Sequence, residues 1–215
     1  LAVPALILIA RLFMDTRVRN RKEVEDAITA PVVGEIPMYV PKKKGEETKV
    51  VMYDRNSKNL LTESLRIIAT NIEFMKEGDE ATKQQVITFT SFNVGAGKTF
   101  VALNLGACLA EGDRKIVLVD LDLRKRTLSK KLNHYHRVKG ASNYLYDHAL
   151  MLDDILVENV VPGVDLVPAG QIPPNPVELL KRPRLDELMN ELRKRYDYVL
   201  VDNVPVEIVA DVTVI

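Results

Sequence analysis

Nine residues, Ser91-Phe92-Asn93-Val94-Gly95-Ala96-Gly97-Lys98-Thr99, hold the densest chemistry in the chain. Gly95 and Gly97 let the backbone curl until successive N–H groups point inward, the arrangement that cradles phosphate oxygens. A helix opening near Lys98 adds the positive end of its dipole. Lys98 has the reach for β- and γ-phosphates, and the Thr99 hydroxyl can ligate Mg²⁺. The candidate nucleotide contacts are therefore Val94, Gly95, Ala96, Gly97, Lys98, Thr99 and Phe100. The strict phosphate-loop pattern has a glycine where Phe92 stands, so the context must confirm the motif.

That context is a strand before and a helix after. Val86-Ile87-Thr88-Phe89-Thr90-Ser91 is β-branched and bounded by polar residues, which predicts a strand. Phe100 to Ala110 reads as a helix ended by Gly112. Two further apolar runs, Ile116 to Asp120 and Tyr198 to Asp202, read as strands buried on both faces. Each ends on an aspartate, and Asp122 follows the first by two residues. In open α/β sheets ligands bind beyond the carboxyl ends of the strands. Lys98, Thr99, Asp120, Asp122 and Asp202 are thus expected around one crevice, with carboxylates available to a metal ion and its water. A lone strand-end aspartate is otherwise a helix cap or turn former.

The remaining elements fit the same architecture. Leu61, Leu65, Ile68, Ile72 and Met75 fall at helical spacing. A mostly helical stretch is expected between Leu123 and Val164, then a strand over 164–167, then one helix from Glu178 to Arg195. Strands alternating with helices define an α/β chain, P-loop NTPase-like, with a mostly parallel sheet covered by helices on both faces.

Composition bounds the function. The chain has 215 residues, 47% of them apolar, with 30 basic and 30 acidic side chains and one cysteine. A folded domain is expected rather than disorder. One cysteine excludes an internal disulfide framework, and Cys108 reads as a core residue. Net neutrality removes the simplest argument for a nucleic-acid partner, and none is expected. His134, His136 and His148 read as surface residues, and Tyr135, Tyr144 and Tyr146 as packing residues.

The N-terminal segment has a different character. Residues 1–10 are uncharged, and Arg11, Arg17, Arg19, Arg21 and Lys22 follow within twelve residues. An apolar segment trailed by cations predicts the end of a transmembrane helix, residues 1–16, with the rest cytoplasmic. Residues 17–58 read as a basic juxtamembrane segment and linker, with a short helix over 22–30 and an apolar-free stretch over 42–49. Residues 59–215 read as the catalytic domain. The chain ends on Val-Thr-Val-Ile, inside an apolar run, so truncation at both ends is expected.

Taken together, these residues resemble the bacterial tyrosine kinases of capsular and exopolysaccharide export. Residues 91–99 are similar to the Walker A motif of that family, 117–125 to its Walker A′ motif and 196–202 with Pro205-Val206 to its Walker B motif. Gly170-Gln171-Ile172-Pro173-Pro174-Asn175-Pro176-Val177-Glu178-Leu179-Leu180 resembles a segment characteristic of the family. Glu63-Ser64-Leu65-Arg66 resembles the helix through which family members form rings, marking Glu63 and Arg66 for oligomerisation. Val94, Ala69, Asn203-Val204 and Arg126 depart from the usual family residues, and the tyrosine-rich tail is absent. The resemblance implies ATP and Mg²⁺ as cofactors, Lys98 and Asp120 as catalytic residues, and Thr99, Asp122 and Asp202 as the metal shell. It also implies a ring-forming inner-membrane protein with its kinase domain in the cytoplasm. Its expected partners are a chain-length-determinant region and a cognate tyrosine phosphatase. Two rivals share parts of the pattern: a partition or septum-site ATPase, and a non-catalytic nucleotide-binding regulator of polysaccharide assembly.

Overall fold

A computed structural model of the chain describes residues 18, 20–38, 50–75, 85–134, 136 and 139–204. The chain divides into two units, Leu1–Gly34 and Glu35–Ile215. In the first, helix α1 spans Arg21–Ala27 and opens on Asn20, whose side chain accepts from the Glu23 amide at 3.0 Å. The predicted helix over 22–30 thus stops three residues early, and Pro31 follows in irregular backbone. The predicted membrane segment and the stretch 42–49 lie outside the described residues. Among those described, no helix is long and apolar enough to cross a membrane.

The second unit is built on five strands: β1 (Gln85–Phe89), β2 (Ile116–Asp120), β3 (Val157–Val161), β4 (Val164–Val167) and β5 (Tyr198–Asp202). Their spatial order is β1-β5-β2-β4-β3. The first four run parallel and β3 runs antiparallel to β4. β2 and β5 are buried along their whole length, as continuous apolar runs require in a sheet covered on both sides.

Strand alternation divides the side chains between two helical layers. Val117, Val119, Val199 and Val201 join a core with Tyr144 and Leu145 of α5 (Ala141–Tyr146) and Leu188 and Leu192 of α7 (Arg184–Arg195). Burying each such leucine stabilises the fold by roughly 1.5–3 kcal/mol. Ile116, Leu118 and Leu200 face α3 (Lys98–Leu109), where Gly106 brings helix and sheet into close approach. Helix α2 (Leu60–Phe74) packs on α3 and buries Leu61, Leu65 and Ile68, while Met75 is exposed. Asn59 caps α2 by accepting from the Thr62 amide at 2.8 Å.

Asn104, fully buried in α3, ties the preceding segment down. Its side-chain oxygen accepts from the backbone amides of Met52 at 2.7 Å and Tyr53 at 2.8 Å, and its amide donates to the Phe100 carbonyl at 2.8 Å.

Two expectations are corrected. Among its described residues the stretch between Leu123 and Val164 holds short helices, α4 (Thr127–Lys131) and α5, and a 3-10 turn at Leu152–Asp154, before strand β3. Pro162-Gly163 turns β3 into β4, with Gly163 at φ 76°; a Pro-Gly pair between β-branched runs is the signal for that hairpin. The single helix over 178–195 is two: α6 (Pro176–Leu180) and α7. Pro183 supplies no amide and restricts Arg182 before it, which breaks the helix.

Candidate functional site

The phosphate loop follows β1, and α3 leaves it. Gly95 and Gly97 sit at φ 83° and 98°, left-handed values that side chains resist. A Cβ on either would meet nothing within 4 Å, so the space beside both glycines is open. Gly97 is the N-cap of α3 and carries no side-chain cap, leaving the first-turn amides to an anion. Phe92 and Val94 stand exposed at its lip.

Sheet order brings the three strand ends together. β5 lies between β1 and β2, and Asp202 is in register with Phe89 on one side and Asp120 on the other. The Thr99 hydroxyl donates to Asp202 Oδ2 at 2.6 Å, joining the phosphate loop to the end of β5. Asp202 Oδ1 is buried with no protein partner. Burial pushes this carboxyl up to about 6; the Thr99 hydrogen bond and the Lys98 ammonium pull it down, and Asp122 pushes it up.

Asp120 is fully buried. Its Oδ2 accepts from the Ser129 amide at 2.8 Å and the Ser129 hydroxyl at 2.6 Å, and its Oδ1 from the Asp122 amide at 3.2 Å. Burial pushes Asp120 up to about 7, against the pull of the Ser129 hydroxyl and amide, while Asp202 and Asp122 add repulsion. Asp122 holds the loop after β2: its Oδ1 accepts from the Lys125 amide at 2.9 Å, and its Oδ2 lies 3.5 Å from the Thr127 hydroxyl. Arg124 and Lys125 are exposed.

The structure therefore brings Lys98, Thr99, Asp120, Asp122 and Asp202 to one end of the sheet. The donor set suits Mg²⁺. It consists of hard oxygens, one of them a buried carboxylate oxygen with no other partner. Among the described residues no cluster of three or more His, Cys, Asp or Glu could hold a metal by itself. That is the usual case for Mg²⁺, which takes one or two carboxylates and completes its shell with water and phosphate.

The oligomerisation candidates lie elsewhere, on α2. Arg66 pairs with Glu63 at 2.8 Å, donates to the Arg55 carbonyl at 2.7 Å and sits 6.0 Å above the Tyr53 ring. Cys108 and Tyr144 are buried as expected. Tyr146 is not a buried packing residue: it is 72% exposed, with the Arg182 guanidinium 5.6 Å above its ring.

Sequence reasoning missed Ser129 and Gly140, and placed Gly170 in a characteristic segment without its packing role. Gly170, at φ 81°, passes beneath α5 so closely that a Cβ there would collide with Asn143 and Ser142. A Cβ on Gly140 would collide with the backbone of Pro168 and Gly170. The α5 N-terminus is seated there by amides of Ala141 and Ser142 donating to Pro168 and Ala169 carbonyls at 2.8 and 2.9 Å. A glycine in a turn-rich segment signals a turn; the pairing of these two becomes visible only in the fold.

A phosphate loop, a threonine bound to a strand-end aspartate and an aspartate pair at the end of the neighbouring strand define a P-loop α/β domain. The AAA domain family matches residues 84–214. The BceF tyrosine kinase domain superposes with a TM-score of 0.74 at 31% identity, covering 92% of this chain and 81% of that one. The chain belongs to the bacterial tyrosine-protein kinase family. A putative tyrosine-protein kinase in the cps region of Klebsiella pneumoniae is 33% identical over 175 residues, 81% of this chain and 23% of that protein. Tyrosine-protein kinase CpsD of Streptococcus agalactiae is 31% identical over 153 residues, 71% of this chain and 64% of that protein. The chain thus spans less than two thirds of the length of these curated relatives.

Proposed function

We propose that the chain is the core of an ATP-dependent protein-tyrosine (auto)kinase that regulates capsular or exopolysaccharide polymerisation and export. The observation that carries the reading is the 2.6 Å bond from Thr99 to Asp202 beside an open, uncapped phosphate loop. Names of relatives at 31–35% identity favour tyrosine as the acceptor over a partition or septum-site ATPase.

In this reading the amides of residues 94–100 bind the phosphates of ATP. Lys98 places its charge against the transferring phosphoryl group, where most of the catalysis of phosphoryl transfer resides. Thr99, Asp122 and Asp202 hold Mg²⁺, which when bound neutralises developing phosphate charge. Asp120, raised to about 7, has a basicity matched to orienting and deprotonating a phenol near neutral pH. The protein sits at the bacterial inner membrane with this domain on the cytoplasmic side, joined to a chain-length-determinant region. It self-associates into a ring through the α2 face bearing Glu63, Arg66 and the exposed Leu60, Ile67 and Phe74, and a cognate phosphatase removes its phosphates. The basic cluster at 11–22 supports the membrane placement.

The test is phosphotyrosine formation by the full-length protein incubated with Mg·ATP. Wild type is expected to label and Lys98→Met to lose the signal; an unlabelled wild type beside an active homologue refutes the kinase, and a labelled Lys98→Met refutes the site.

A further inference from the structure

We infer that Ser129 is a positioning residue of the transfer reaction, whose hydroxyl aims the Asp120 carboxylate; the inference rests on the kinase reading above. Ser129 is fully buried on α4, a five-residue helix, and nothing in its sequence surroundings marks it. Its amide and its hydroxyl both donate to the same atom, Asp120 Oδ2, at 2.8 and 2.6 Å. Its oxygen also accepts from the Ala169 amide at 2.9 Å.

That third bond fixes the polarity of the network. An amide can only donate, so Ser129 Oγ must accept from Ala169, and its single proton must point at Asp120. Oδ2 is thereby engaged twice, and Oδ1, held by one 3.2 Å bond from the Asp122 amide, is the oxygen left for the crevice. The anchor behind Ser129 is stiff. Ala169 accepts from the Ser142 amide at 2.9 Å, the Ser142 hydroxyl donates to the Gln171 carbonyl at 2.6 Å, and Arg126 donates to the Gly170 carbonyl at 3.2 Å. Gly140 and Gly170 cross there with no room for a side chain. The ends of β2 and β4 are thus joined through one hydroxyl, and the orientation of Asp120 is set by the loop after β4.

The plainer role for Asp120 is to cap α4, and the Ser129 amide alone would serve that. The hydroxyl is what separates the two roles, so the variants target it. Ser129→Ala and Ser129→Cys both keep the amide; cysteine also keeps the shape but donates weakly. In full-length protein with Mg·ATP, both are expected to lower kcat about 10- to 100-fold, the scale of a misplaced reacting group. KM for ATP should stay within about twofold, because Ser129 lies off the phosphate loop, and Ser129→Thr should recover most of kcat. Melting curves give the folded fraction by which each rate is divided. If Ser129→Cys keeps the wild-type kcat, or if every loss vanishes on correction for folded fraction, the hydroxyl only fills space and the inference falls. A wild type that hydrolyses ATP but labels no tyrosine ends the kinase reading alone, and Ser129 is then judged on the hydrolytic kcat by the same criteria. A wild type that turns over no ATP overturns both.

Discussion

Asp202→Asn should make the ligand-free protein more stable while removing its response to Mg·ATP. Asp202 is 1% exposed, and its carboxyl is pushed up to about 6 from an ordinary value near 4. The folded state therefore holds the proton more tightly than the unfolded one. The stability this supplies is complete below about pH 4 and lost as pH rises through 6. Each pH unit in that window is worth about 1.4 kcal/mol, so ionised Asp202 burdens the fold by about 3 kcal/mol at pH 8. The amide of the variant still accepts from Thr99, but its NH₂ takes the place of Oδ1, which has no partner, at a cost of about 1 kcal/mol. The net gain is about 2 kcal/mol, or roughly 4–8 °C in Tm for a chain of this size. At pH 5, where the wild-type carboxyl is largely protonated, the gain should vanish or change sign. The loss of Asp202 charge also relieves Asp120, which feels it as repulsion. Circular dichroism melts of both proteins at pH 5 and pH 8, with and without Mg·ATP, measure all of this. Wild type should gain several degrees from Mg·ATP at pH 8, and the variant far less. If the variant melts below wild type at pH 8, or the difference is the same at both pH values, the account of a strained carboxylate waiting for a cation is wrong.

Two glycine substitutions should separate backbone strain from steric collision. Gly95→Ala meets open space but a left-handed φ of 83°, so it should cost about 1–2 kcal/mol of stability while weakening ATP binding at least tenfold by calorimetry. Gly140→Ala drives a methyl into the Pro168 carbonyl and Gly170 amide, and urea denaturation should register a loss of roughly 2–4 kcal/mol. Asn104→Ala strands two amides, and hydrogen exchange should show Met52 and Tyr53 deprotected while β2 and β5 keep their protection. Slow exchange at Met52 and Tyr53 in that variant would mean that Asn104 is not what holds the segment.

The strands carrying the site were legible in the sequence because they are apolar without interruption. Ile116–Asp120, Val164–Val167 and Tyr198–Asp202 lie where their β-branched runs place them. The loop was legible because glycine spacing and a lysine-threonine pair have few other uses. Misreadings came where local signals competed. Leucines at helical spacing masked the Pro183 break, and Glu158 and Asn159 interrupt β3, where the backbone turns left-handed at Asn159. The network behind Asp120 was illegible for a different reason. Ser129, Ala169 and Ser142 meet only after β4 has taken its place beside β2, and no spacing along the chain records that adjacency.

A second adjacency, of β2 with β5, explains why the site is costly in the absence of a cation. β2 and β5 are neighbours in register, so each strand-end aspartate faces the other, and Asp122 adds a third carboxyl within the same field. Both strand-end carboxyls are raised, and burial is the larger cause for each. A sheet edge in water would not hold them so. The groups that offset this are unequal: Asp120 has three donors within the protein, Asp202 has Thr99 and the field of Lys98, and one Asp202 oxygen has nothing. The inequality orders their roles. A carboxylate held by three donors of its own chain is fixed in place, whereas one with a buried vacant oxygen gains most from a divalent ion. The fold thus concentrates its unsatisfied charge at Asp202, next to the loop where phosphate would bring the ion.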